Sequence, residues 1–239
     1  MSSKAIFILN TYSEDDALYD VVNNFVIPNQ KNYAKLCNAH YVEIKNNSRG
    51  YWESVCSKLM LFVDMAQSSH DEILFLDCDI IIEDGAPDIF KEHKGQYVAP
   101  NIIGRSFCGK FSPLEHQERI QDKFNIYVDL KYMHNTCAVL YPRRVFEKYA
   151  DFLSSNQIVA KMRDIICNSG KTGDKWSDME VLPIVCSLCD MQVDQNLDQE
   201  WNTMPPSNGP YWRNYKDDRY FTHYAGHNKA ELIKRYNEL

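Results

Sequence analysis

Asp77 and Asp79 interrupt an otherwise apolar run, DEILFLDCDIIIEDG at residues 71–85. In an extended segment residues i and i+2 project to the same side, so both carboxylates can aim at one point. Two like charges that close are unfavourable unless a cation sits between them, and a hard divalent ion with oxygen ligands suits that place. Far downstream, FTHYAGHNK at residues 221–229 sets His223, Gly226 and Lys229 in the spacing H-x-x-G-x-x-K. A neutral imidazole can complete a cation's ligand set. A glycine lets main chain approach a phosphate closely, and a lysine supplies charge to a diphosphate. Each motif alone has a plain structural reading, an interrupted strand with solvated acids or a hydrogen-bonded histidine. Together they are far more specific.

The elements that must position these residues follow from hydrophobic spacing. KAIFIL, residues 4–9, reads as a buried first strand running into the polar cluster 10–16. Helices are expected over 15–27, stopped before Pro28, and again over 29–38. A second strand is expected at 40–44, a third at 72–76, and between them a helix at 52–67 with apolar Val55, Leu59, Phe62, Val63 and Ala66 on one face. This β-α-β-α-β order implies a parallel α/β sheet with the acidic pair at a strand's carboxyl end, where open α/β sheets bind ligands. Further on, residues 101–124 mix loop and helix signals. CAVL (137–140) reads as a buried strand stopped at Pro142, followed by a helix at 143–153. A helix at 178–188 carries Pro183 as a break or early turn, and 201–218 reads as a long structured loop. Residues 220–239 close the chain with a short strand, a turn and a helix from about Lys229.

Composition narrows the function classes. The 239 residues suit one sizeable domain, and a net charge of −7 argues against nonspecific binding to nucleic acid or an anionic membrane. No run approaches the roughly 18 apolar residues of a membrane span. The apolar stretch Ala5–Leu9 is too short for a signal peptide, so a cytoplasmic location is expected, with the 8 cysteines as free thiols. Cys186 and Cys189 form a lone C-x-x-C without the second pair a zinc finger needs.

The D-x-D after a buried strand, joined to H-x-x-G-x-x-K near the C-terminus, resembles the GT-A-fold glycosyltransferases, above all glycosyltransferase family 8, the glycogenin and lipopolysaccharide galactosyltransferase group. Residues 29–52 look more like family 34. The resemblance implies one α/β domain, a mixed, mainly parallel Rossmann-like sheet flanked by helices. A nucleotide-binding half would occupy about 1–100, and an acceptor half with the C-terminal metal and diphosphate motif about 101–239. It implies transfer of a hexose or pentose from a nucleoside-diphosphate sugar, with UDP as the expected nucleotide, to a glycan or other hydroxyl acceptor, with retention. The expected cofactor is manganese, with magnesium as the other candidate. Asp77, Asp79 and His223 would be metal ligands, and Gly226 and Lys229 would contact the diphosphate. Asn10, Thr11 and Tyr12 match the place where that fold holds the nucleoside, Cys78 would sit near the ribose, and Lys58 would lie near the donor. Asn135 would border the sugar, and Asp178 would bind its hydroxyls. The sequence departs from the family where Ala230 and Glu231 follow the lysine and where Asp178-Met179-Glu180 replaces a D-Q-D.

Other readings compete. Haloacid-dehalogenase phosphatases place Gly and Thr or Val after their D-x-D, whereas Ile80–Ile82 follow here. A nucleotidyltransferase of related fold would carry a Gly-rich basic loop after the first strand, and NTYSEDD is acidic. A noncatalytic nucleotide-sugar or glycan-binding module is the third alternative. Gly170-Lys171-Thr172 reads as a loop, since Ile165 stands where a P-loop needs glycine. Trp201, Tyr211, Trp212 and Tyr215 read equally as core or as acceptor-stacking aromatics. His116 and His134 read as structural or surface residues, and Arg143-Arg144 as a solvated helix start.

Overall fold

The computed structural model describes residues 2–45, 51–100, 113–155, 164, 178–203, 219–225 and 228–238, of which 51–56, 113, 178–180 and 199 by main chain alone. The expectations on 101–112, on Gly170-Lys171-Thr172, on Tyr211, Trp212 and Tyr215, and on Gly226 lie outside the described residues.

Strand β1 (Lys4–Asn10) enters a loop and then a short helical lead-in, Tyr19–Val21, a π-helical turn, Val22–Val26, and helix α1 (Ile27–Leu36). The break expected at Pro28 does not occur. Pro28 sits in the first turn of α1, where a missing N–H costs nothing, and the π turn upstream accommodates its ring. Strand β2 (His40–Lys45), helix α2 (Tyr51–Gln67) and strand β3 (Glu72–Asp77) follow. Two turn residues lead into β4 (Ile80–Ile82), helix α3 (Ile89–Glu92) and β5 (Val98–Pro100). Helix α4 (Pro113–Phe124), β6 (Ala138–Pro142) and helix α5 (Arg143–Ser155) come next. Helix α6 (Asp178–Leu188) runs through Pro183 instead of breaking there, because Val181, Leu182, Ile184, Val185 and Cys186 around it are buried and packing holds the axis. Strands β7 (Gln195–Leu197) and β8 (Phe221–His223) and helix α7 (Lys229–Asn237) complete the chain.

The main sheet has the order β2-β1-β3-β6-β5-β7. Strands β2, β1 and β3 are mutually parallel, β6 is antiparallel to β3 and β5, and β5 pairs parallel with β7. Alternation along the strands builds two cores. Ala5, Phe7, Leu9, Ile73 and Phe75 face the side covered by α2, α5 and α6. Ile6, Ile8, Leu74, Leu76 and Cys78 face the side covered by α1 and α7. Trp201 is core on that second side, edge-on to Phe221. His116 and His134 are both buried. Arg143 is not merely solvated: it donates to the carbonyls of Ser68 and His70 and pairs with Glu147. Among the described residues no helix is long and apolar enough to cross a membrane.

Candidate metal centre

Strand parity decides where Asp77 points. As the last residue of β3 it shares the face of Ile73 and Phe75, and there Lys58 of α2 meets it. The Lys58 ammonium stands over the Phe75 ring, 5.7 Å from its centroid, and its Nζ lies 2.7 Å from Asp77 Oδ1. Cys78, of opposite parity, is buried in the other core. The acidic pair is not extended: Cys78 and Asp79 form a turn, because β4 leaves the main sheet to pair with β8 in a separate two-stranded sheet.

That small sheet brings in the histidine. Ile80 and His223 are antiparallel register partners, and the Tyr224 amide donates to the Asp79 carbonyl at 2.9 Å. His223 Nε2 therefore stands 3.2 Å from Asp79 Oδ1 and 3.9 Å from Asp77 Oδ2. One ligand atom from each residue falls within 4.8 Å of the other two, so the trio could hold a divalent ion. A test of fit comes from Asp79 Oδ1, a buried oxygen that lacks a hydrogen-bond partner because the imidazole beside it is not aligned to donate. A buried carboxylate oxygen left so is what a cation would satisfy. The donor set also fits, since two carboxylates and one imidazole are ligands that a divalent ion takes.

Electrostatics support a charged site. Burial alone would raise the Asp79 pKa, yet the facing His223, with Lys229 and Lys58 behind it, holds it down at about 2. Burial would likewise discharge His223, but Cys137 and Asp79 beside it hold its pKa well above the ordinary value.

A cleft opens next to this cluster. Asn10, at the end of β1, is buried, donates to Glu43 Oε1 at 2.9 Å and accepts from the Tyr12 amide at 3.2 Å. Half-buried Thr11 and Tyr12 follow it. Asn10, Tyr12, Glu14, Asp15, Asn23 and Lys45 line a cavity of about 390 Å³. Tyr12 joins cavity to cluster, since its hydroxyl accepts from Lys229 Nζ at 2.8 Å and its ring lies under that ammonium. Burial, then the acidic groups Cys78, Asp79, Asp16 and Asp77 around it, keep its phenol protonated. Asn135 lies on the other flank: its amide donates to the Pro100 carbonyl, its Oδ1 accepts from the Cys137 amide at 3.0 Å, and the Cys137 carbonyl accepts from the Asp77 amide. Asp178 opens α6, with only its main chain described.

The sequence reading missed Asn29 and Gln30. Gln30 Nε2 donates to the carbonyls of Asp77 and Ile80, and Asn29 pairs with both main-chain groups of Ile82. A signal existed, since Gln30 falls in the stripe of Val26, Ile27, Tyr33 and Ala34, where an apolar residue belongs.

No protein-family model and no curated protein matches the chain. Solved structures do. It is similar to a glycosyltransferase involved in glycosylation of the major capsid of PBCV-1, with TM-score 0.58 and 10% identity over 99% of this chain and 100% of that one. It is also similar to mouse xyloside xylosyltransferase 1 in its apo form, with TM-score 0.52 and 10% identity over 95% of this chain and 99% of that one. At such identity the likeness is one of fold, and the fold is GT-A.

Proposed function

We propose that this chain is a metal-dependent glycosyltransferase that uses a nucleoside-diphosphate sugar, with UDP as the nucleotide, and passes the sugar to a hydroxyl of a glycan or similar acceptor. The observation that carries the reading is the convergence of Asp77, Asp79 and His223 at the carboxyl end of β3 in a GT-A fold.

Asp77, Asp79 and His223 would hold the divalent ion, manganese or magnesium. When bound, that ion supplies Lewis-acid charge to the donor's two phosphates. Lys58 pairs with Oδ1 of Asp77, and Oδ2 is the oxygen that faces His223. Lys229 sits at the start of α7 with its ammonium beside Tyr12, placed to stabilise negative charge as the glycosidic bond breaks. Gly226 would let main chain approach the diphosphate. The cavity beside Asn10, Thr11 and Tyr12 takes the nucleoside. Tyr12 accepts from Lys229, which leaves its own hydrogen to donate to a ligand. Cys78, its thiol in the core, would meet the ribose through main chain. Asn135 borders the sugar and Asp178 orients its hydroxyls. The acceptor attacks from the leaving-group face, giving retention, and a phosphate oxygen takes its proton. We also read the enzyme as cytoplasmic.

The test is a panel of nucleotide sugars incubated with the protein with and without Mn²⁺, reading released nucleoside diphosphate. The proposal expects Mn²⁺-dependent release from a subset of donors, lost in Asp79→Ala. Equal release in the presence of a chelator would overturn it.

A further inference from the structure

We propose that Gln30, with Asn29, is a positioning residue that fixes the spacing of the two acidic ligands from behind. This inference rests on the metal-dependent reading above. Neither side chain reaches the site. Both act on the main chain that carries it.

The turn from β3 to β4 leaves the sheet ladder, so its carbonyls need donors from elsewhere. Gln30 is 0% exposed, and its Nε2 lies 3.0 Å from the carbonyl of Asp77 and 3.0 Å from that of Ile80. An amide nitrogen carries two hydrogens, and each carbonyl takes one. Tyr41 donates to Gln30 Oε1 at 3.1 Å, which fixes which way the amide faces. One turn-edge further, Asn29 Nδ2 donates to the Ile82 carbonyl at 2.8 Å, and the Ile82 amide donates to Asn29 Oδ1 at 2.8 Å, as a neighbouring strand would. The Asp79 carbonyl is taken by the Tyr224 amide. The carbonyls of Asp77, Asp79, Ile80 and Ile82 are therefore all tied, three of them by helix α1 and its tyrosine-braced glutamine.

Such a clamp has a consequence for charge. Two carboxylates with no ion between them repel, and a turn free to relax would let them separate. Buried carbonyls stripped of donors would add a strong incentive to rearrange. Gln30 blocks both, holding the ligands close before any ion arrives.

The experiment uses the full chain and Mn²⁺ alone. Gln30→Met keeps volume but removes both donors. Tyr41→Phe is a milder variant that frees the amide to flip. Leu59→Ala, in the other core, serves as a control matched for lost stability. Free Mn²⁺ is followed by electron paramagnetic resonance, and amide exchange is read over residues 77–82. Expected are a 10- to 100-fold weaker Mn²⁺ affinity for Gln30→Met, an effect of about threefold for Tyr41→Phe, wild-type affinity for Leu59→Ala, and faster exchange over 77–82 only in the first two. Wild-type Mn²⁺ affinity in Gln30→Met, or an equal loss in Leu59→Ala, overturns the proposal. Should the wild type bind no Mn²⁺, the functional reading falls, and exchange alone then decides the clamp: unchanged exchange in Gln30→Met and Tyr41→Phe overturns it, and selective acceleration supports it.

Discussion

His223 stands opposite Ile80 in an antiparallel pair, and that register places its Nε2 3.2 Å from Asp79 Oδ1. Cys137 and Asp79 beside it hold the His223 pKa well above its ordinary value. An imidazole must shed its proton to ligate an ion. Mn²⁺ affinity should therefore climb about tenfold per pH unit until the folded-state pKa of His223 is passed, and then level off. Isothermal titration across pH checks this. A flat affinity from pH 5 to 8 would contradict it.

Lys58 offers a second test. Its ammonium lies 2.7 Å from Asp77 Oδ1 and shares that carboxylate with whatever cation binds Oδ2. Two positive charges on one carboxylate compete. Lys58→Met should tighten binding of Mn²⁺ alone by about tenfold while slowing donor turnover, because the donor loses a nearby cation. A variant that weakened the metal and left turnover intact would show that Lys58 braces Asp77 instead.

Away from the cleft, a buried chain of hydroxyls ends on His134. The ring's Nδ1 lies 3.1 Å from the Tyr132 carbonyl and so carries its hydrogen, leaving Nε2 to accept from Tyr97, whose hydroxyl in turn meets Tyr149 at 2.9 Å. Burial lowers the His134 pKa from 6.5 to about 4. A base whose pKa falls on folding takes up its proton first in the unfolded chain. The linkage is silent above 6.5 and removes stability as pH drops from 6.5 toward 4. Its full extent is about 3 kcal/mol. Urea unfolding at pH 7 and pH 4.5 should show a smaller acid loss for His134→Gln than for wild type, even though the variant starts less stable. Equal losses would remove His134 from the account.

How much of this was legible in the sequence depends on the range of the interaction. The alternation of β1 and β3 and the amphipathic α2 are written in local spacing, so the β2-β1-β3 half and the place of Asp77 at a strand end could be read directly. The pairing of D-x-D with a distant histidine was legible only because both motifs carry unusual residue types in fixed spacing. Geometry was harder. Residues 77–80 look like continuous strand, yet β4 departs to pair with β8, a choice made by a segment far downstream. Pro28 looks like a stop, yet a π turn absorbs it. Gln30 carries no motif: its partners are carbonyls, which have no sequence signature, and only its polarity on an apolar stripe marked it.

In the proposed function one imidazole and the acidic pair share a divalent ion. Pulsed electron paramagnetic resonance of Mn²⁺ bound to ¹⁵N-histidine-labelled protein tests it most directly. Hyperfine coupling to a single imidazole nitrogen is expected, absent in His223→Ala, with binding abolished in Asp77→Ala and Asp79→Ala. Bound Mn²⁺ without nitrogen coupling, or coupling that survives His223→Ala, would contradict it.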